Sequence, residues 1–132
     1  MKYTILLTML LACGAVSAST WVQAGSTKDG ARSFVDTSSI IITGSSRRAR
    51  LKMAYPPHTK KDMGKWVNFY LNEATFDCSA GRAKSEAMKT YYDDGTSFVA
   101  PTETYKGQQW DRVAPGTVLE TVMKFVCSRK PK

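Results

Sequence analysis

Pro115-Gly116-Thr117-Val118-Leu119-Glu120-Thr121-Val122-Met123-Lys124-Phe125-Val126-Cys127 is where this chain changes period. Thr117 and Glu120 stand in the T-x-x-E spacing of a capping box, directly after a Pro-Gly pair. Val118, Leu119, Val122, Met123 and Val126 then fall on one helical stripe. The spacing predicts a short amphipathic helix over 117–128, with Cys127 in its last turn. Upstream the chain reads as several period-two runs joined by turns and loops, with 58–64 a polar loop and 96–111 a loop or short strand, so this is the one helical run.

Cys127 leads back to Cys78. Cys78 closes the run Trp66 to Cys78, which is apolar on both sides: Val67, Phe69 and Leu71 against Trp66, Tyr70 and Phe76. Such a strand is expected at the centre of a sheet, covered on one side by the helix and on the other by something else. Upstream, Arg48 to Tyr55 alternates cleanly, with Ala49, Leu51, Met53 and Tyr55 opposite Arg48, Arg50 and Lys52. Further strands are predicted at Trp21–Gly25, Arg32–Val35 and Arg82–Tyr92. Ser26–Gly30, Asp36–Ser39, Gly44–Arg47 and Asp93–Gly95 carry turn chemistry, with Asp36 expected to accept from the turn amides at Thr37 or Ser38.

The beginning of the chain sets the compartment. Lys2 precedes an apolar run from Ile5 to Ala12, and Val16-Ser17-Ala18 suits signal peptidase cleavage before Ser19. Residues 1–18 are therefore read as a signal peptide and 19–132 as one exported domain of 114 residues. That domain retains two of the three cysteines, Cys78 and Cys127, which in an oxidising compartment read as one structural disulfide. Closing a loop of about 50 residues contributes roughly 4 kcal/mol in the chain-entropy model. Cys13 sits in Leu10-Leu11-Ala12-Cys13-Gly14, which resembles a lipobox. The apolar segment before it is short, so disposal with the leader is favoured over lipidation.

The formal net charge is +8, falling to +7 once the leader and its single lysine are removed. Polyanions are the partners such a charge suits: lipopolysaccharide, anionic glycans or an acidic protein face. Nucleic acid fits on charge alone, yet an exported protein seldom meets it and no nucleic-acid module is visible. The cation row Arg48, Arg50 and Lys52 spaces its charges about 7 Å apart along one strand face. Arg47 precedes it and Lys60, Lys61 and Lys65 follow. These seven residues are the candidate polyanion-binding site, and the competing reading is solvated charge that protects a strand edge. Trp66 and Tyr70 are the candidates for the apolar centre of a homodimer.

The catalytic case is thin. His58 is the only histidine and lies in a polar loop, with no nucleophile–base spacing around it. Asp93-Asp94 precedes Gly95 and reads as a hairpin turn. Zinc spacing, a calcium loop and a phosphate-cradling glycine loop are all missing, so neither a metal nor a cofactor is expected.

Four blocks in order then carry a family resemblance: Trp21-Val22; Phe34-Val35-Asp36-Thr37-Ser38-Ser39-Ile40; Phe76-Asp77-Cys78; and Trp110 with Val113, Pro115-Gly116-Thr117 and Val126-Cys127. Together they resemble the surface-adhesin protein E family across nearly the whole exported chain. The resemblance implies an α+β fold, a curved antiparallel β-sheet with a C-terminal α-helix tethered to it by the disulfide. It also implies export in a Gram-negative bacterium, to the periplasm or the outer-membrane surface, and a non-enzymatic role. In well-known members that role is adhesion to host extracellular-matrix or serum proteins, with dimerisation. A periplasmic inhibitor or immunity protein, or a structural envelope protein, is the alternative.

Overall fold

In a computed structural model, which describes residues 20–105 and 107–131, the alternating segments form nine strands and the final segment one helix. They are β1 (Trp21–Ser26), β2 (Arg32–Asp36), β3 (Ile41–Thr43), β4 (Ser46–Ala54), β5 (Lys61–Asp62), β6 (Lys65–Asp77), β7 (Arg82–Tyr92), β8 (Ser97–Val99), β9 (Asp111–Arg112) and α1 (Val118–Cys127). Residues 1–19, and with them Cys13 and the expected cleavage site, lie outside the described residues. The sheet runs β1-β2-β4-β6-β7-β8, with β3 on β4, β5 on β6 and β9 on β7. Every pairing among the described residues is antiparallel. The α+β architecture expected from the sequence is the one observed.

Helix α1 begins where its cap chemistry places it. Thr117 is the N-cap, and its hydroxyl accepts from the Glu120 N–H at 3.2 Å. The Glu120 carboxylate reaches back to the Gly116 N–H at 3.4 Å, one residue earlier than a standard capping box. The helix lies across β1, β2 and β4. Its approach is close at Gly25, where a Cβ would sit 3.1 Å from Val118 Cγ2. Val122 and Val126 are buried against Val35, Leu51, Ala74 and Phe76. Each of those valines contributes about 1.5–3 kcal/mol by leaving water. The Cys78–Cys127 disulfide ties the end of α1 to the residue following β6.

β6 is central, as its two apolar sides predict, but its faces differ from simple alternation. The register with β7 breaks between Val67 and Phe69, where Asn68 is the extra residue on β6, and again between Glu73 and Ala74, where the extra residue is Glu86 on β7. A bulge of this kind shifts which side the following residues face and bends the strand. Val67, expected with Phe69 and Leu71, instead shares the helix side with Tyr70 and Phe76, opposite Tyr92. Phe69 and Leu71 stay on the far side, paired with Ala54 and Lys52.

Candidate functional site

The helix covers one face of the sheet, and the opposite face has no element lying over it among the described residues. Cross-strand partners share a face, so the register identifies its occupants. β4 contributes Arg48, Arg50 and Lys52; β6 contributes Glu73, Leu71 and Phe69 beside them. β2 adds Arg32 and Phe34, opposite Ala54 and Lys52. β1 adds Trp21, opposite Asp36. β7 adds Lys84, Ala87, Lys89 and Tyr91, and β8 adds Val99 opposite Lys89.

Cations and aromatic rings alternate across one end of this face. The Lys52 ammonium lies between two rings, 5.9 Å from the centroid of Phe34 and 4.6 Å from that of Phe69. Phe69 stacks on Tyr91 at 4.5 Å, and Lys89 sits 4.7 Å over Tyr91. Arg32 lies 5.6 Å from the Phe34 ring. At the other end, Arg82 and Lys84 flank Trp110 at 5.0 and 4.8 Å. Each such contact contributes about 0.5–1 kcal/mol at an exposed site and holds the cation in place while leaving it charged. The arrangement presents fixed positive charge on an apolar floor.

Carboxylates neutralise this face only in part. Arg48 pairs with Glu73 at 3.2 Å, both half-exposed. Arg50 reaches Asp36 at the longer distance of 3.9 Å. Asp36 is buried, which pushes its carboxyl pKa up. The Ser38 hydroxyl (2.6 Å), the Thr20 and Ser38 backbone N–H groups (3.1 Å each) and Arg50 outweigh that and hold it below the usual range. The turn-bonding role expected for Asp36 is thus observed at Ser38, with Thr20 as a further donor. Asp36 does not depend on Arg50 alone, and the Arg50 side chain is half-exposed.

The structure separates several residues that the sequence grouped together. Arg47 is buried on the helix side, opposite Phe76, and donates to the carbonyls of Gly44 (2.8 Å), Ser46 (3.0 Å) and Arg129 (3.4 Å). It ties the β3–β4 turn to the C-terminal tail and lies off the cation row, because one step along a strand reverses the face. Lys60, Lys61 and Lys65 lie at the end of the β4–β6 connection. There Lys61 covers the Trp66 ring at 4.6 Å, and Lys65 pairs with Asp94 at 3.2 Å. They extend no continuous row from Lys52. Trp66 and Tyr70 are also parted: the bulge after Val67 puts them on opposite faces, Trp66 stacked on His58 at 5.0 Å and Tyr70 edge-on to Tyr55 at 5.6 Å. The two rings therefore do not share one patch of surface. Arg32, Lys84, Lys89, Phe34, Phe69 and Tyr91 join the face through register, which only long-range pairing sets.

A cleft of about 310 Å³ opens in the middle of this face. Leu71 and Ala87 lie on its floor, with Trp21, Arg50, Glu73, Lys89 and Val99 around them. Trp21 is on β1 and Val99 on β8, the two ends of the strand order. Five strand spacings would hold those edges roughly 24 Å apart in a flat sheet. That both line one cleft shows the sheet curving around it.

Among models of known protein families, the one described as Surface-adhesin protein E matches residues 21–128. No curated protein matches the chain. No helix among the described residues is long and apolar enough to cross a membrane.

Proposed function

This chain belongs to the surface-adhesin protein E family, and we propose that it is an exported binding protein that docks polyanionic partners on the uncovered face of its sheet. One observation carries the reading. The face opposite α1 holds Arg48, Arg50, Lys52, Lys84 and Lys89 over half-buried apolar and aromatic side chains, with carboxylates pairing only some of them. Binding here works through a surface, consistent with the family's adhesive and non-enzymatic role. The partners that fit are acidic glycans, free or carried on host matrix and serum proteins, and the anionic groups of lipopolysaccharide. The chain reaches them, in this reading, after cleavage behind Ala18, with Cys13 discarded and residues 19–132 released as one domain.

Replacing Arg48, Arg50 and Lys52 together by Ser tests the reading. All three are outward on β4, and exposed ion pairs such as Arg48–Glu73 contribute about 0–1 kcal/mol each, so the fold survives. Retention on immobilised heparin should fall at least tenfold while the melting temperature stays within a few degrees, roughly the effect of such pairs. The wild-type interaction should weaken steeply with added salt. Unchanged retention by a folded triple variant would reduce the row to solvated charge. Proteolysis of intact cells separates the locations: digestion before lysis supports surface display, and protection until lysis supports a periplasmic inhibitor or envelope role.

A further inference from the structure

We infer that the central cleft is a subsite for a single acidic sugar unit, one bearing a carboxylate or sulfate, with the Trp21 indole, Arg50 and Lys89 as its recognition groups. This rests on the polyanion reading of the same face but asks more of it: a built slot that distinguishes sugars from other anions.

The cleft combines the three features a charged sugar needs. Its floor is apolar, from Leu71 and Ala87, and its volume of about 310 Å³ suits a small unit rather than a folded partner. Small-molecule sites span roughly 300–1,000 Å³ and set a few polar groups into apolar walls. Trp21 at one edge and Val99 at the other can embrace the C–H surface of a sugar ring from both sides of the curved sheet. Arg50 and Lys89 supply positive charge from two different strands. Arg50 has donors to spare, because Asp36 takes three shorter hydrogen bonds from Ser38 and Thr20 and touches Arg50 only at 3.9 Å. A guanidinium offers a carboxylate or sulfate two parallel hydrogen bonds.

Glu73 gives the site its selectivity. Its carboxylate lines the cleft and is held by Arg48 at 3.2 Å. Toward a sugar it is an acceptor for hydroxyl donors. Toward an anion without hydroxyls, such as polyphosphate, it is a like charge with nothing to offer. Repulsion of the wrong ligand is as much a part of specificity as attraction of the right one.

The test uses the exported, disulfide-bonded protein with indole ¹⁵N labelling. The three tryptophans, Trp21, Trp66 and Trp110, give three separate indole signals, and Trp21→Phe assigns one of them. The probes are a heparin-derived disaccharide and inorganic tripolyphosphate. The disaccharide should shift the Trp21 signal saturably and leave Trp66 unmoved; tripolyphosphate at equal charge should shift Trp21 far less. Arg50→Gln should weaken the disaccharide about tenfold, the scale of one charge-assisted hydrogen bond. Glu73→Gln should narrow the gap between the two probes. The inference is overturned if Trp21 stays silent, if both probes move it equally, or if Arg50→Gln binds as the wild type does. Silence at Trp21 with heparin retention intact would remove the subsite and leave the docking face standing. Loss of heparin retention in the wild type would remove both.

Discussion

Removing the disulfide by a Cys78→Ser/Cys127→Ser double replacement should lower stability mainly through the unfolded chain. The bond links residues 49 apart in sequence. The chain-entropy expression then gives about 14 cal/mol/K, or about 4 kcal/mol at 25 °C. Unfolding entropy is about 2.1 cal/mol/K per residue near 60 °C, so a domain of this size loses roughly 15–20 °C in melting temperature. Against a total of about 5–15 kcal/mol the loss is severe without being fatal, because Val122 and Val126 still hold α1 to the sheet. Calorimetry of wild type and double variant reads the shift, and urea titration reads its origin. If the bond acts on the denatured state, m should rise as that state expands, while the native far-ultraviolet spectrum keeps its helix. A shift below about 3 °C would refute the entropic reasoning, since it corresponds to less than ~1 kcal/mol. A large shift with unchanged m and a lost helix signal would show the bond to be a native-state tether instead.

Four further outcomes follow from the same geometry. Phe76 is fully buried between sheet and helix, so Phe76→Ala should cost about 3–5 kcal/mol by denaturant titration; a loss under about 1 kcal/mol would place it outside the core. Thr117→Ala removes the acceptor for the Glu120 N–H and should cost about 1 kcal/mol, whereas Thr117→Ser should restore most of it. Asp36 has a folded pKa below its unfolded value, so its contribution is complete above about pH 4 and disappears as pH falls through the folded value. Asp36→Asn should therefore flatten the acid limb of the stability curve, and an unchanged limb would count against the Ser38–Thr20 cage. Tyr70 has the opposite sign: burial, with Asp62 and the neighbouring tyrosines, pushes its phenol up to about 12. The stability it supports is complete below about pH 10 and is lost as pH rises through the folded value, so Tyr70→Phe should melt less steeply in alkali.

How much of this was legible in the sequence depended on how local each signal is. The helix, its Thr117 cap and the pairing of Cys78 with Cys127 rest on residues close together or on simple cysteine arithmetic, and all three stand in the structure. The Arg48–Tyr55 alternation was readable for the same reason: a strand without a bulge keeps its period. β6 could not be read that way, because the register break after Val67 moves Val67 to the helix side and parts Trp66 from Tyr70. Arg47 neighbours Arg48 in sequence but faces the core, where three carbonyls accept its guanidinium. The wider face was hidden for a different reason. Phe34 and Val99 reach Lys52 and Trp21 only through the strand order and the curvature of the sheet, which no short window of sequence contains.

The most direct test of the docking face is backbone amide mapping of the exported protein with a heparin octasaccharide. Shifts should concentrate at Phe34, Arg48, Arg50, Lys52, Phe69 and Lys89, on the side away from α1, and fade as salt rises. Shifts gathered on α1 or around Lys60–Lys65, or none at concentrations that saturate a basic surface, would contradict it.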